Sequence, residues 1–125
     1  MILGVLRRYE EALAASDRAF ELEPELSLAH DYRARALGGL GRYAEAAAAC
    51  DRALQLEPEL ADAYYNRACA YSRLHKREEA LRDLKRAIEL DEKHRQRAKT
   101  DEDFESLRGD AEFRKLVGLE EGEAE

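Results

Sequence analysis

Glu21-Leu-Glu-Pro-Glu-Leu26 and Gln55-Leu-Glu-Pro-Glu-Leu60 are nearly the same word, and their prolines, Pro24 and Pro58, are the only two in the 125-residue chain. A fixed spacing of this kind marks a molecule assembled from copies of one small unit. Leucine and alanine dominate between the words, and 39% of residues are charged. That composition suits amphipathic helices and gives no sign of strands. Aligned on the period, the chain divides into an incomplete first unit at 1–26 and full units at 27–60 and 61–94. A closing helical segment follows at 95–118, and then an acidic, disordered tail at 119–125. In the third unit Glu92 takes the place of proline.

Each full unit reads as two helices and a turn, with helices expected at about 28–40, 44–57, 62–74 and 78–91. Gly41 stops the first helix because glycine adopts a left-handed conformation without steric cost, and His75 occupies the equivalent turn. Pro58 lacks an amide hydrogen and disfavours helix in the residue before it, so it separates one pair from the next. Ala34, Ala46 and Ala53 recur one period later as Ala68, Ala80 and Ala87, and Ala12 and Ala19 match the last two in the first unit. Side chains this small let helix backbones approach closely, while Tyr43, Leu56, Tyr71, Leu84 and Leu90 fill the space between.

The period, the alanines, the Gly41/Tyr43 turn and the Leu-Glu-Pro ending resemble the tetratricopeptide repeat over residues 1–94. The resemblance implies an all-α, right-handed superhelix of antiparallel helix pairs. It also implies a concave groove, lined by the first helix of each unit, that takes a peptide or a partner helix. It places Leu28, Asp31, Arg35 and Gly38 there from the second unit, and Asp62, Tyr65, Asn66, Cys69, Ser72 and Arg73 from the third. Family members that grip a C-terminal carboxylate need lysine and asparagine where this chain has Asp31 and Arg35, so that subtype is not expected. Residues 98–113 look like the closing segment of bacterial arrays, expected to cover the apolar side of helix 78–91.

Counted back from Pro24, Met1 falls at about the ninth residue of a unit. The expectation is therefore a helix at 10–23 lacking most of its partner. Its apolar edge (Leu3, Leu6, Leu13, Phe20) would recruit a second copy, or belong to the end of a larger array.

No metal, cofactor or catalytic residue is expected. His30, His75 and His94 fall at a helix start, a turn and a helix end, without metal-ligand spacing, and Cys50 and Cys69 form no framework. Carboxylates are expected on solvent faces, in pairs such as Glu78 with Arg82. The net charge of −7 disfavours nucleic acid. Residues 61–99 carry 11 basic and 7 acidic side chains and residues 100–125 carry 3 and 10, so the two regions can face each other. No apolar run approaches the ~20 residues of a membrane span. Arginines follow the opening apolar stretch, the reverse of a secretory signal. A cytoplasmic, non-catalytic binder of protein or peptide is the expectation.

Overall fold

The computed structural model describes residues 2–22 and 27–119, with Ile2, Leu3 and Phe20 described by backbone only. The proline of the first repeated word and the tail beyond Leu119 lie outside the described residues, as do the side chains of Leu3 and Phe20. The described residues form α1 (Ile2–Leu22), α2 (Ser27–Gly39), α3 (Tyr43–Leu56), α4 (Ala61–Arg73) and α5 (Arg77–Leu90). After these come α6 (Lys93–Thr100), a 3₁₀ segment (Glu102–Leu107) and α7 (Ala111–Val117). Each of α1 to α5 packs on the next in sequence, the arrangement of an all-α superhelix.

The two turns repeat one another atom for atom. Gly41 has φ of +80° and His75 of +61°. The amide after each, Arg42 and Lys76, donates 2.8 Å to the carbonyls of Leu37 and Tyr71. Glycine enters this left-handed region freely, whereas histidine does so at a steric cost. At the helix crossings the recurring alanines are sealed: Ala46 is 2% exposed, and Ala53, Ala80 and Ala87 are fully buried. A second period-spaced device links consecutive units. Arg33 Nε pairs with Asp17 Oδ1 at 2.8 Å, and one period on Arg67 Nη1 pairs with Asp51 Oδ1 at 2.8 Å. Arg67 also holds the buried Asp83 of α5, so one guanidinium ties α3, α4 and α5 together.

Three expectations are corrected. α1 is one straight helix from Ile2, with no break before residue 10. The period puts Arg7 where Gly41 and His75 make their turns, and Leu6-Arg7-Arg8-Tyr9 holds no residue suited to positive φ, so helix continues. His94 lies in the first turn of α6 instead of at a helix end. Glu78 pairs with the adjacent Arg77, which also reaches Asp110 and Glu112 of the closing segment, and not with Arg82.

Ala80→Leu overpacks the α4–α5 crossing and is expected to cost ~1–3 kcal/mol. Ala44→Leu on the exposed side of α3 should stay within about 0.5 kcal/mol of the parent. Equal urea midpoints for the two variants would contradict this account of the crossing.

Candidate functional site

The inner face of α4 is where the predicted groove and the closing segment meet. Tyr65, Cys69 and Arg73 lie one turn apart on that face, which follows from helical spacing. The 3₁₀ segment lies against α4, while α6 and α7 contact α5. The closing segment therefore covers both helices of the last pair, not the apolar side of α5 alone. Phe104 is fully buried, with its ring edge-on to Tyr65 (centroids 5.7 Å) and tilted against Phe113 (5.6 Å). Asp101 caps the 3₁₀ segment by accepting from the Asp103 amide, and its other oxygen accepts from the Tyr65 hydroxyl at 2.8 Å. Arg73 pairs with Asp103 at 2.7 Å. Asp110 caps α7 in the same way, accepting from the Phe113 amide.

Of the ten residues assigned to the groove, five line a single cleft: Arg35 and Gly38 from α2, and Tyr65, Asn66 and Cys69 from α4. The cleft is about 260 Å³. Asp31 lies behind it, buried, accepting 2.8 Å from Asn66 Nδ2. Burial raises the Asp31 pKa, and that hydrogen bond opposes the shift. Asn66 therefore spends one amide donor inside the protein. Leu28 is exposed at the start of α2, Ser72 is buried, and Arg73, outside the lining, is committed to Asp103 on the cleft wall. Asp62 faces away toward α6, where its Oδ1 lies 3.1 Å from His94 Nε2 without hydrogen-bond alignment.

Further side chains line the cleft that the sequence did not assign to it, among them Tyr9, Tyr43, Arg97 and Asp103. Arg97 comes from α6 and stands over the Tyr65 ring at 4.2 Å. Tyr9 comes from α1 and packs into the notch left by Gly39, where an added Cβ would overlap its ring. At Gly38, by contrast, a Cβ would meet no atom within 4 Å. The signal available for Arg97 was the basic run before Thr100, and for Tyr9 its match, one period back, to Tyr43.

One donor cluster appears among the described residues: Cys69, Asp101 and Asp103 hold ligand atoms within 4.8 Å of one another. Each carboxylate already has a protein partner, and burial pushes the Cys69 thiol well up, so the trio is a hydrogen-bonded joint between α4 and the closing segment. Cys50 is likewise buried and free, its thiol raised by desolvation.

The tetratricopeptide repeat family model matches residues 27–60 and again 61–94, together more than half of the chain. The chain belongs to the tetratricopeptide repeat family. Among solved structures it is similar to the first tetratricopeptide repeat domain of Spaghetti (RPAP3) bound to the HSP90 peptide SRMEEVD. That match has 26% identity and a TM-score of 0.69, covering 89% of this chain and 79% of the other. It is also similar in fold to the first such domain of human RPAP3, at 24% identity and TM-score 0.67, covering 95% of this chain and 91% of that one. No curated protein matches the sequence. The family and these neighbours place the chain among protein-interaction modules.

Two outcomes test the joint. Phe104→Ala should lower stability by about 3–5 kcal/mol, the cost of emptying a core aromatic site; an unchanged urea midpoint would mean that the closing segment is not part of the cooperative fold. Burial also depresses the His94 pKa, with Asp62 opposing and Arg97 reinforcing the shift. The unfolded chain then binds the proton more tightly. Stability should be full above the ordinary histidine value of about 6.5 and decline as pH falls below it. Asp31, with its raised pKa, acts in the opposite sense at lower pH. Thermal melts from about pH 7 to about pH 5.5 should show the decline, and His94→Phe should flatten it.

Proposed function

We propose that this chain is a non-catalytic adaptor that holds an extended peptide in the cleft between α2 and α4, with an acidic side chain of the peptide at Arg35 and Arg97. The observation that carries the proposal is the division of charge around the cleft. Its carboxylates are engaged internally, Asp31 by Asn66, Asp101 by Tyr65 and Asp103 by Arg73, whereas Arg35 and Arg97 stand exposed on its walls. Charges placed this way select a partner and speed its approach more than they supply affinity. Asn66 keeps an amide oxygen suited to a peptide backbone donor.

The acidic peptide held by the Spaghetti domain supports this chemistry. Of the positions expected to grip a chain terminus only Asn66 fits, with Asp31, Arg35, Tyr65 and Cys69 standing in place of lysine and asparagine, which favours an internal acidic segment. On this reading 1–26 serves as a partial repeat, 95–118 as the closing segment and 119–125 as an acidic tail, in a cytoplasmic protein. No helix among the described residues is long and apolar enough to cross a membrane. Nucleic acid is a poor alternative: within the basic stretch Arg77, Arg86, Lys93 and Arg95 pair with Glu78, Glu89, Asp91 and Glu92.

Gly38 separates binding from folding. Gly38→Ala should stabilise α2 by up to about 1 kcal/mol, since glycine is a poor helix residue. Gly38→Trp should fill the cleft and abolish binding while the melting temperature holds or rises. Peptides selected from a displayed random library and measured by fluorescence anisotropy should be acidic, and should be lost on Gly38→Trp and on Arg35→Glu. Selected peptides that bind Gly38→Trp as tightly as the parent would rule out this cleft.

A further inference from the structure

We infer that α1 is an interface for a second copy of this chain, paired antiparallel with the α1 of its partner about a two-fold axis near Tyr9. The inference starts from a mismatch between sequence and backbone. One period separates Ile2-Leu-Gly-Val-Leu6 from Ala36-Leu-Gly-Gly-Leu40, and three of five residues are identical. In the second unit that segment ends α2 and turns back at Gly41, so that α2 packs against α3. In the first unit the same kind of segment runs straight on into α1. An element that folds back in its copies and extends here is poised for exchange between protomers.

The surface such an element would cover is open. Val5 is 42% exposed. Ala12 is exposed and Ala19 half-buried, although their period mates Ala46, Ala53, Ala80 and Ala87 are all sealed by a neighbouring helix. Val5, Arg8, Ala12, Ala15 and Ala19 form one stripe at helical spacing. α2 takes a different face of α1, the one carrying Tyr9, Leu13 and Ser16.

Charge selects the occupant and its direction. Arg7 and Arg8 precede Glu11 on the same side of α1, all three exposed, and within the helix Arg7 reaches Glu11 only at 4.0 Å. A second α1 laid antiparallel on this stripe and centred near Tyr9 sets Arg8, in the stripe, and Arg7, on its flank, beside the other copy's Glu11, twice by symmetry, and places Val5 over the partner's Ala12 and Ala15. A parallel pairing sets arginine against arginine. Antiparallel helix dipoles add in the same direction. The interface is self-complementary and therefore closes at two copies.

The test is sedimentation velocity on the full chain over a wide concentration range. The mass should rise from one chain to two, and no further. Ala12→Glu buries a charge in the stripe and should weaken the dimer about tenfold or more while leaving helicity intact. Arg8→Glu should weaken it as well, and Arg8→Glu with Glu11→Arg should restore it. A monomer at every concentration would overturn the inference. So would a dimer indifferent to both Ala12→Glu and Arg8→Glu, because that dimer would use another face.

Discussion

Close approach of helix backbones at alanine contacts is the constraint on which the whole molecule rests. Ala46 and Ala53 on α3, and Ala80 and Ala87 on α5, present nothing larger than a methyl to the helix before them. The helices can then pack so that Leu37 and Leu84 are fully enclosed beside them. Interiors packed this tightly transmit position, so one crossing fixes the next. The pairs Arg33–Asp17 and Arg67–Asp51 do the complementary job between units. Partly exposed ion pairs contribute little stability, but a guanidinium held between two helices sets their register. Arg67 goes further, since its guanidinium stands 5.6 Å from the Tyr64 ring and 5.9 Å from the Tyr71 ring while holding the buried Asp83. Removing it would leave that carboxylate buried and unpaired, the costly case for a buried ion pair.

The segment after α5 packs on both helices of the last pair, and in doing so shapes the cleft. A further repeat would offer another first helix to α4 and α5. Here α6 offers Ala98 and His94, both fully buried, and the 3₁₀ segment adds Phe104. His94 stacks on Tyr65 at 4.7 Å, so Tyr65 lies among His94, Phe104 and the Arg97 guanidinium, with its hydroxyl on Asp101. A tyrosine enclosed this way belongs to the core even though it occupies a groove position. The inner face of α4 is consequently covered in part by the protein's own chain, and the open cleft lies between α2 and α4.

The helices of the two full units were legible in the sequence to within a residue at each end. The reason is local: Gly41, His75 and Pro58 act through their own backbone conformations, and the alanines act on the adjacent helix. What escaped was the side of the array on which Phe104, Leu107 and Phe113 settle. An apolar stripe is equally at home on α4 or α5, and the choice is made by Tyr65 with Asp101, Arg73 with Asp103, and Arg77 with Asp110. These pairs are separated by about thirty residues. The same gap explains the site: Arg35, Gly38 and Asn66 could be placed by the family resemblance, but Arg97 and Asp103 reach the cleft only through the docking of the segment after α5. The straight course of α1 escaped for the opposite reason. The period there indicates a turn, and the local residues Arg7 and Arg8 favour helix; local preference prevailed.

Tyr9 joins these strands of the structure. Its ring fills the notch at Gly39, which sets how closely α1 approaches α2, and the same ring forms part of the cleft wall with Gly38 and Arg35. A larger residue at 39 would push the ring away and open that wall, whereas a larger residue at 38 would grow into the empty space of the cleft. Two adjacent glycines on one helix thus serve opposite ends: one admits a neighbouring helix, the other keeps room in front of Asn66. Neither requirement comes from backbone conformation, because both residues are helical. Glycine costs a helix about 1 kcal/mol relative to alanine, and at this pair the close approach of Tyr9 and the open cleft account for its use. The cleft is therefore built by contributions from α1, α2, α3, α4, α6 and the 3₁₀ segment together, so its shape depends on the docking of both ends of the array and not on either full repeat alone.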